Sequence, residues 1–197
     1  MRTKLSVIIP LYNQERLVIE AIKSIPARKD IEIIVVDDNS TDQSYNEVQM
    51  FKMRDNRNIV LLFNDTNQGV GYTVNKGIDN ANGEYITLLG SDDYFITQEL
   101  NYCIDNYLND KDIVYYDLRI NDGTIFHLCE ETKRGYCGST KFIKRSFIGD
   151  LREPEIRRGE DYFFYQELLK KNPTELFTNR VVKHYNYPRK GSLSNPE

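Results

Sequence analysis

The chain reads as an α/β protein built on a mostly parallel sheet, and two patterns predict this. Through the first half, short β-branched runs alternate with stretches of helical periodicity, as in strand–helix–strand units. Each apolar run is followed by polar and acidic residues, placed where the strands of an open sheet leave the core.

Strands are predicted at Leu5 to Pro10, Ile31 to Val36, Ile59 to Phe63 and Tyr85 to Leu89. Between them, Leu17, Val18, Ala21, Ile22 and Ile25 form one apolar helix face, and Val70, Val74, Ile78 and Ala81 form another. After Asp93 the rhythm changes. Thr97 is placed to cap a helix carrying Leu100, Ile104, Tyr107 and Leu108, and Ile113 to Leu118 reads as a strand. Asn121-Asp122-Gly123 has the composition of a hairpin turn, and Glu130 to Thr140 reads as a loop. A last helix is predicted from near Gly159, with Phe164, Tyr165, Leu168 and Leu169 inward, ending at Asn172-Pro173.

Length fits one domain over residues 1–197, with about 1–93 and about 94–197 as two functional halves. A hydrophobic share of 40% with 28% charged residues belongs to a folded protein, and a net charge of -4 provides no general attraction for nucleic acid. No stretch approaches the roughly 20 apolar residues of a spanning helix, and the start of the chain lacks the pattern of a signal peptide. Cys103, Cys129 and Cys137 form no CxxC pair and no even set, so a reducing cytoplasm is expected, and any metal should be a hard cation on carboxylates.

The residues after the strands carry the chemistry. Strand two ends in Asp37-Asp38-Asn39-Ser40-Thr41-Asp42, where Ser40 or Thr41 could cap a helix and Asp42 suits its first turn. That leaves Asp37 and Asp38 in need of donors, which a nucleoside's base and ribose would supply. Strand four ends in Gly90-Ser91-Asp92-Asp93, which reads either as a solvated turn or as two carboxylates for a divalent cation on phosphate oxygens. Asn67-Gln68-Gly69-Val70-Gly71 could start a helix or let backbone N–H groups approach a phosphate. Glu160-Asp161 opens a helix, where acids suit the dipole and where one could accept a proton from a hydroxyl. Lys183, Arg189 and Lys190 among Tyr185 and Tyr187 suit one diphosphate better than a nucleic-acid strand.

In order along the chain stand VIIPLYN (Val7 to Asn13), VVDDNSTD (Val35 to Asp42), NQG (Asn67 to Gly69), NKGIDNANGEYI (Asn75 to Ile86), GSDD (Gly90 to Asp93), GED (Gly159 to Asp161) and RKGSLS (Arg189 to Ser194). Together they resemble the inverting glycosyltransferase family 2, whose GT-A fold is a Rossmann-like sheet with a smaller acceptor-side second half. The match runs from Leu5 to about Ser194. The resemblance implies that Pro10, Tyr12, Asn13 and Asp38 line a nucleoside pocket, with Asn67 and Gly69 alongside. It implies that Asp92 and Asp93, next to Ser91, place Mg²⁺ or Mn²⁺ on the diphosphate, and that Arg189 pairs with phosphate. Asp161, with Glu160 beside it, would be the general base of a single inverting displacement.

By the same resemblance the donor is a nucleotide-diphosphate sugar, a UDP-sugar by preference. The acceptor is a glycan or lipid-linked glycan of surface polysaccharide synthesis, and the setting is the cytoplasm, with peripheral association at the membrane's inner face allowed. The chain departs from the family in Gly90 at the first acidic position of the metal motif, in Val74 where Arg is frequent, and in Arg189 where His is frequent. Two other readings stand beside this one: a catalytically silent nucleotide-sugar-binding domain, and a nucleotidyltransferase, for which Leu11-Tyr12-Asn13-Gln14 lacks the basic glycine-rich loop.

Overall fold

The computed structural model describes residues 2–132, 139–156 and 159–188. Its first half consists of β1 (Leu5–Leu11), α1 (Val18–Ser24), β2 (Ile31–Asp37), α2 (Ser44–Arg54), β3 (Asn58–Phe63), α3 (Val70–Asp79) and β4 (Tyr85–Leu88). The second half continues with β5 (Tyr94–Phe95), α4 (Thr97–Asn106), β6 (Ile113–Arg119), β7 (Ile125–Phe126), β8 (Lys141–Lys144), α5 (Arg145–Ile148), α6 (Glu160–Lys170) and β9 (Glu175–His184). One sheet runs in the order β3-β2-β1-β4-β8-β6-β9-β5, with β7 paired to β6.

The first four strands are parallel, Leu5 standing beside Ile31 on one side and Tyr85 on the other. β8 runs antiparallel to both β4 and β6, so β6 points the same way as β1, and β9 runs parallel to β6. The carboxyl ends of β1, β2, β4, β6 and β9 therefore share one edge.

Covering both faces of the sheet explains the unbroken apolar runs. Every residue of β2 is buried, and in β1 all but Pro10 are buried. Successive side chains alternate faces: Val7 and Ile9 pack with Val18, Ile22, Leu100 and Ile104, whereas Ile8 packs with Val74, Ile78 and Phe164. Helices α1, α2 and α4 thus cover one face, and α3 and α6 the other. α3 lies so close to β1 that a Cβ at Gly77 would collide with Ile8. The helix interior accepts a glycine there, despite its propensity cost of about 1 kcal/mol, in exchange for that approach.

Several expectations shift. α2 starts at Ser44, and neither Ser40 nor Thr41 caps it; the Asp42 carboxylate instead accepts the Ser44 N–H at 2.9 Å. Thr97 is the first residue of α4 and not its cap, because its hydroxyl donates to the Ser24 carbonyl at 2.8 Å. β8 and β9 add strands in the second half where periodicity pointed to none. The Asn121-Asp122-Gly123 turn does join paired strands, β6 and β7, with Gly123 at φ 89°.

Candidate functional site

At the ends of β1 and β2 the loops are locked to each other by side chains. Asn13 adopts the left-handed region at φ 51°, which Asn tolerates better than most residues. Its N–H donates to Ser40 Oγ at 3.0 Å, and its Oδ1 accepts the Thr41 N–H at 2.8 Å. Asp37 is buried and accepts both the N–H and the hydroxyl of Ser40, at 3.0 and 2.5 Å.

Asp38 is 4% exposed and is satisfied from three directions. Asn64 Nδ2 donates to it at 2.8 Å, the Gln68 N–H at 2.9 Å and the Gly69 N–H at 2.8 Å. The expectation that this acid pair needs donors from a bound nucleoside is therefore corrected: the protein supplies them. The expected proximity of Asn67 and Gly69 to Asp38 does hold, because the loop is tied to the carboxylate. Gly69 sits at φ 89°, a conformation that strains other residues. Pro10 is half-buried, and Tyr12, Asn13 and Asn67 are exposed.

The turn after β4 is tighter than its composition implies. A Cβ on Gly90 would stand 2.7 Å from Asp93 Oδ2 and 3.0 Å from Asp92 Oδ1, so both carboxylates fold back over the glycine. A side chain at position 90 would require these carboxylates to move. Ser91 is buried. Asp93, expected as the second metal carboxylate, is committed elsewhere: Oδ2 pairs with Lys183 Nζ at 2.8 Å and Oδ1 accepts the Asn186 N–H at 2.9 Å. Lys183 and Asp93 are 1% and 3% exposed, and the lysine also donates to Ser139 Oγ. Among the described residues no group of three or more His, Cys, Asp or Glu side chains is gathered to hold an ion. Asp92, expected as the first metal carboxylate, is half-buried.

On the other face, Gly159 turns the chain at φ 83° and α6 begins at Glu160. Asp161 accepts the N–H of Tyr162 at 2.8 Å, the helix-start role expected of it on structural grounds. Its surroundings hold more. Among the described residues Glu160 Oε2 is buried without a hydrogen-bond partner, and burial followed by the charge of Asp161 pushes that carboxyl above its ordinary range. Glu153, 4% exposed, is pushed up to about 8 by burial and then by Glu160 and Asp161, with Lys141 opposing. A cavity of about 30 Å³ between α3, β4, β8 and α6 is lined at its polar end by Thr87, Ser139, Lys141, Glu153 and Asp161.

Sequence reading missed Glu153 and Lys141, because a charged residue carries no periodic signal when it is buried; Lys183, expected to serve a diphosphate, is instead buried against Asp93. The contacts that join them to the donor corner are also tertiary. Asn75 Nδ2 donates to the Glu153 carbonyl and its Oδ1 accepts the Glu153 N–H, both at 2.8 Å. A Cβ on Gly71 would stand 2.9 Å from the Pro154 carbonyl and 3.5 Å from Glu160 Cβ. The start of α3 therefore meets the start of α6.

At the far side of the edge, His184 stacks on Tyr94 with ring centroids 4.5 Å apart, and burial followed by Arg119 holds its imidazole below the ordinary value. The exposed His127 ring is oriented by fully buried Asp117 at 2.7 Å. Arg189 and Lys190, with Arg157 and Arg158, lie outside the described residues.

The chain matches the family model for glycosyl transferase family 2 over residues 6–164. It is 32% identical over 184 residues to an uncharacterized glycosyltransferase of Haemophilus influenzae, covering 84% of this chain and 72% of that one. It is 28% identical to the UDP-Glc:alpha-D-GlcNAc-diphosphoundecaprenol beta-1,3-glucosyltransferase WfaP of Escherichia coli, over 91% of this chain and 76% of the relative. Among solved structures, S. aureus TarS residues 1–349 in complex with UDP-GlcNAc superposes with a TM-score of 0.82 at 24% identity. That superposition takes in 96% of this chain but spans 60% of the TarS structure, and it speaks for the fold.

Proposed function

This chain belongs to glycosyl transferase family 2 and has the GT-A type of fold, and from that premise we propose that it transfers a sugar, with inversion, from a UDP-sugar to a glycan or lipid-linked acceptor. The observation that carries the reading is the meeting of α3 and α6. Because Gly71 packs on Pro154 and Glu160, the loop fastened to Asp38 and the acid pair opening α6 form two walls of one edge. A donor held by the first wall would present its anomeric carbon toward the second.

In this reading Tyr12, Asn13 and Asn67 contact the nucleoside, and Asp38 acts through the loop it fastens. Asp161 takes the proton of the acceptor hydroxyl as that oxygen attacks the anomeric carbon from the face opposite the leaving group. The bond from carbon to the diphosphate oxygen breaks, the nucleoside diphosphate leaves with the electron pair, and configuration inverts. Base catalysis of this kind contributes about 10²–10⁴-fold. Asp92 would hold Mg²⁺ or Mn²⁺, which when bound supplies charge stabilisation for the diphosphate. With Gly90 in place of the motif's first acid, cation affinity would be modest in the absence of donor.

The Escherichia coli relative's name specifies a diphosphoundecaprenol-linked acceptor, which supports a lipid-linked acceptor here; a role in surface polysaccharide synthesis at the cytoplasmic membrane face is part of the same proposal. No helix among the described residues is long and apolar enough to cross a membrane.

The test is release of UDP from UDP-glucose and UDP-N-acetylglucosamine, with and without Mn²⁺ and with membrane lipid extract as acceptor. Cation-dependent release that drops at least 100-fold in Asp161→Asn is expected. Full turnover by Asp161→Asn would sink the base assignment. Donor binding by calorimetry without turnover on any acceptor would instead establish a silent binding domain.

A further inference from the structure

Behind Asp161, away from the open edge, lies a buried polar group that this reaction scheme leaves unused. Glu153 is held rigidly, since the side chain of Asn75 grips its backbone N–H and carbonyl at 2.8 Å each and Pro154 is wedged under Gly71. Its carboxyl lines the same cavity as Asp161 and Lys141, and about 30 Å³ is room enough for an internal water between them. The walls beyond this polar end are apolar, including Val74, Ile86 and Phe164, so the charges there are poorly screened.

We propose that Glu153 is a positioning residue for Asp161, the proton-bearing partner that faces it across the cavity and leaves Asp161 as the carboxylate that takes the acceptor's proton. The inference rests on the assignment of Asp161 as base. Its logic is that of any two carboxyls confined together: like charges in a low-dielectric pocket cannot both ionise easily, so the more buried one keeps the proton. Glu153 is the more buried of the two. A neutral carboxyl can donate a hydrogen bond through water and so fix the orientation of its ionised neighbour, which two repelling carboxylates cannot do.

The groups facing Glu153 agree with this. From α6 come Glu160 and Asp161, both acidic, and from β8 comes Lys141, whose ammonium also lies 4.4 Å from the centre of the Tyr165 ring. From α3 comes uncharged Asn75. Among the described residues two like charges and desolvation stand against the Lys141 ammonium, and the carboxyl is pushed up to about 8.

The experiment follows the Glu153 carboxyl carbon by NMR in protein labelled with ¹³C at glutamate side chains, the resonance being assigned by its loss in Glu153→Gln. A midpoint near pH 8 is expected for the parent protein, falling by about one pH unit in Asp161→Asn, where one like charge is gone. A midpoint in the ordinary carboxylate range, or one that does not move in Asp161→Asn, would overturn the proposal. As a second readout, UDP release from UDP-glucose should lose activity above pH 8 in the parent. Glu153→Gln, a neutral mimic of the protonated acid, should keep that activity, and Glu153→Ala should not. An alkaline limb shared equally by parent and Glu153→Gln would overturn the proposal too. The two assignments fail separately: turnover retained by Asp161→Asn removes the base but leaves the NMR coupling measurable, whereas absent coupling with dead Asp161→Asn removes only the positioning role.

Discussion

Three buried acids on the donor side of the edge and three acids around the start of α6 differ in satisfaction. Asp37, Asp38 and Asp93 are nearly sealed from water, and each has its charge met by protein: Ser40, the loop of Gln68 and Gly69, or Lys183. Glu153, Glu160 and Asp161 crowd one another with Lys141 opposing them, and among the described residues one buried oxygen of Glu160 has no hydrogen-bond partner. The difference separates two uses of a carboxylate. A paired one holds chain segments in place, and an underpaired one is left with proton affinity to use.

The sharpest way to break the contrast is Lys183→Met. Asp93 would be left charged and buried without its cation, and a loss of about 3–5 kcal/mol in urea unfolding is expected, as for other broken buried pairs. A loss under 1 kcal/mol would mean that Asp93 is not an architectural acid. Asp38→Asn removes one acceptor and points an amide at the N–H groups of Gln68 and Gly69, and should cost about 2–3 kcal/mol in the same assay.

On the α6 side, the contrast shows as pH dependence. Glu153 is pushed from 4.5 to about 8, so between those values the folded protein holds a proton that the unfolded chain releases. This group's contribution to stability is full below pH 4.5 and is lost as pH rises through about 8. Thermal melts should therefore place Glu153→Gln above the parent at pH 8.5, with the gap closing by pH 5. An equal gap at both pH values would show that the substitution acts through packing alone. The smallest effect is predicted for Asp161→Asn, which should shift unfolding by no more than about 0.5 kcal/mol, since that half-exposed carboxylate accepts only the neighbouring Tyr162 N–H among the hydrogen bonds described. A large destabilisation would move Asp161 to the architectural group.

Legibility followed the same divide. The four parallel strands and the apolar faces of α1, α3 and α6 could be read because burial on defined faces imposes a period on the sequence. Asp38 and Gly69 were placed together by motif order, and the structure ties them at 2.8 Å. The reading of Asp93 did not carry over, because its partner Lys183 lies ninety residues away on β9 and nothing local marks the pair. Glu153 escaped for a similar reason: Glu-Pro after an arginine looks like surface loop, and only the grip of Asn75 from α3 draws it inside.

What the linear order of residues determined is the alternation of strands and helices and the supply of acids at strand ends, since hydrophobic period and turn chemistry act over a few residues. Which of those acids are neutralised and which are left poised was decided only by the tertiary structure. A carboxylate's state depends on donors and charges within a few ångströms, and here β9, β8 and the start of α3 bring them from far along the chain.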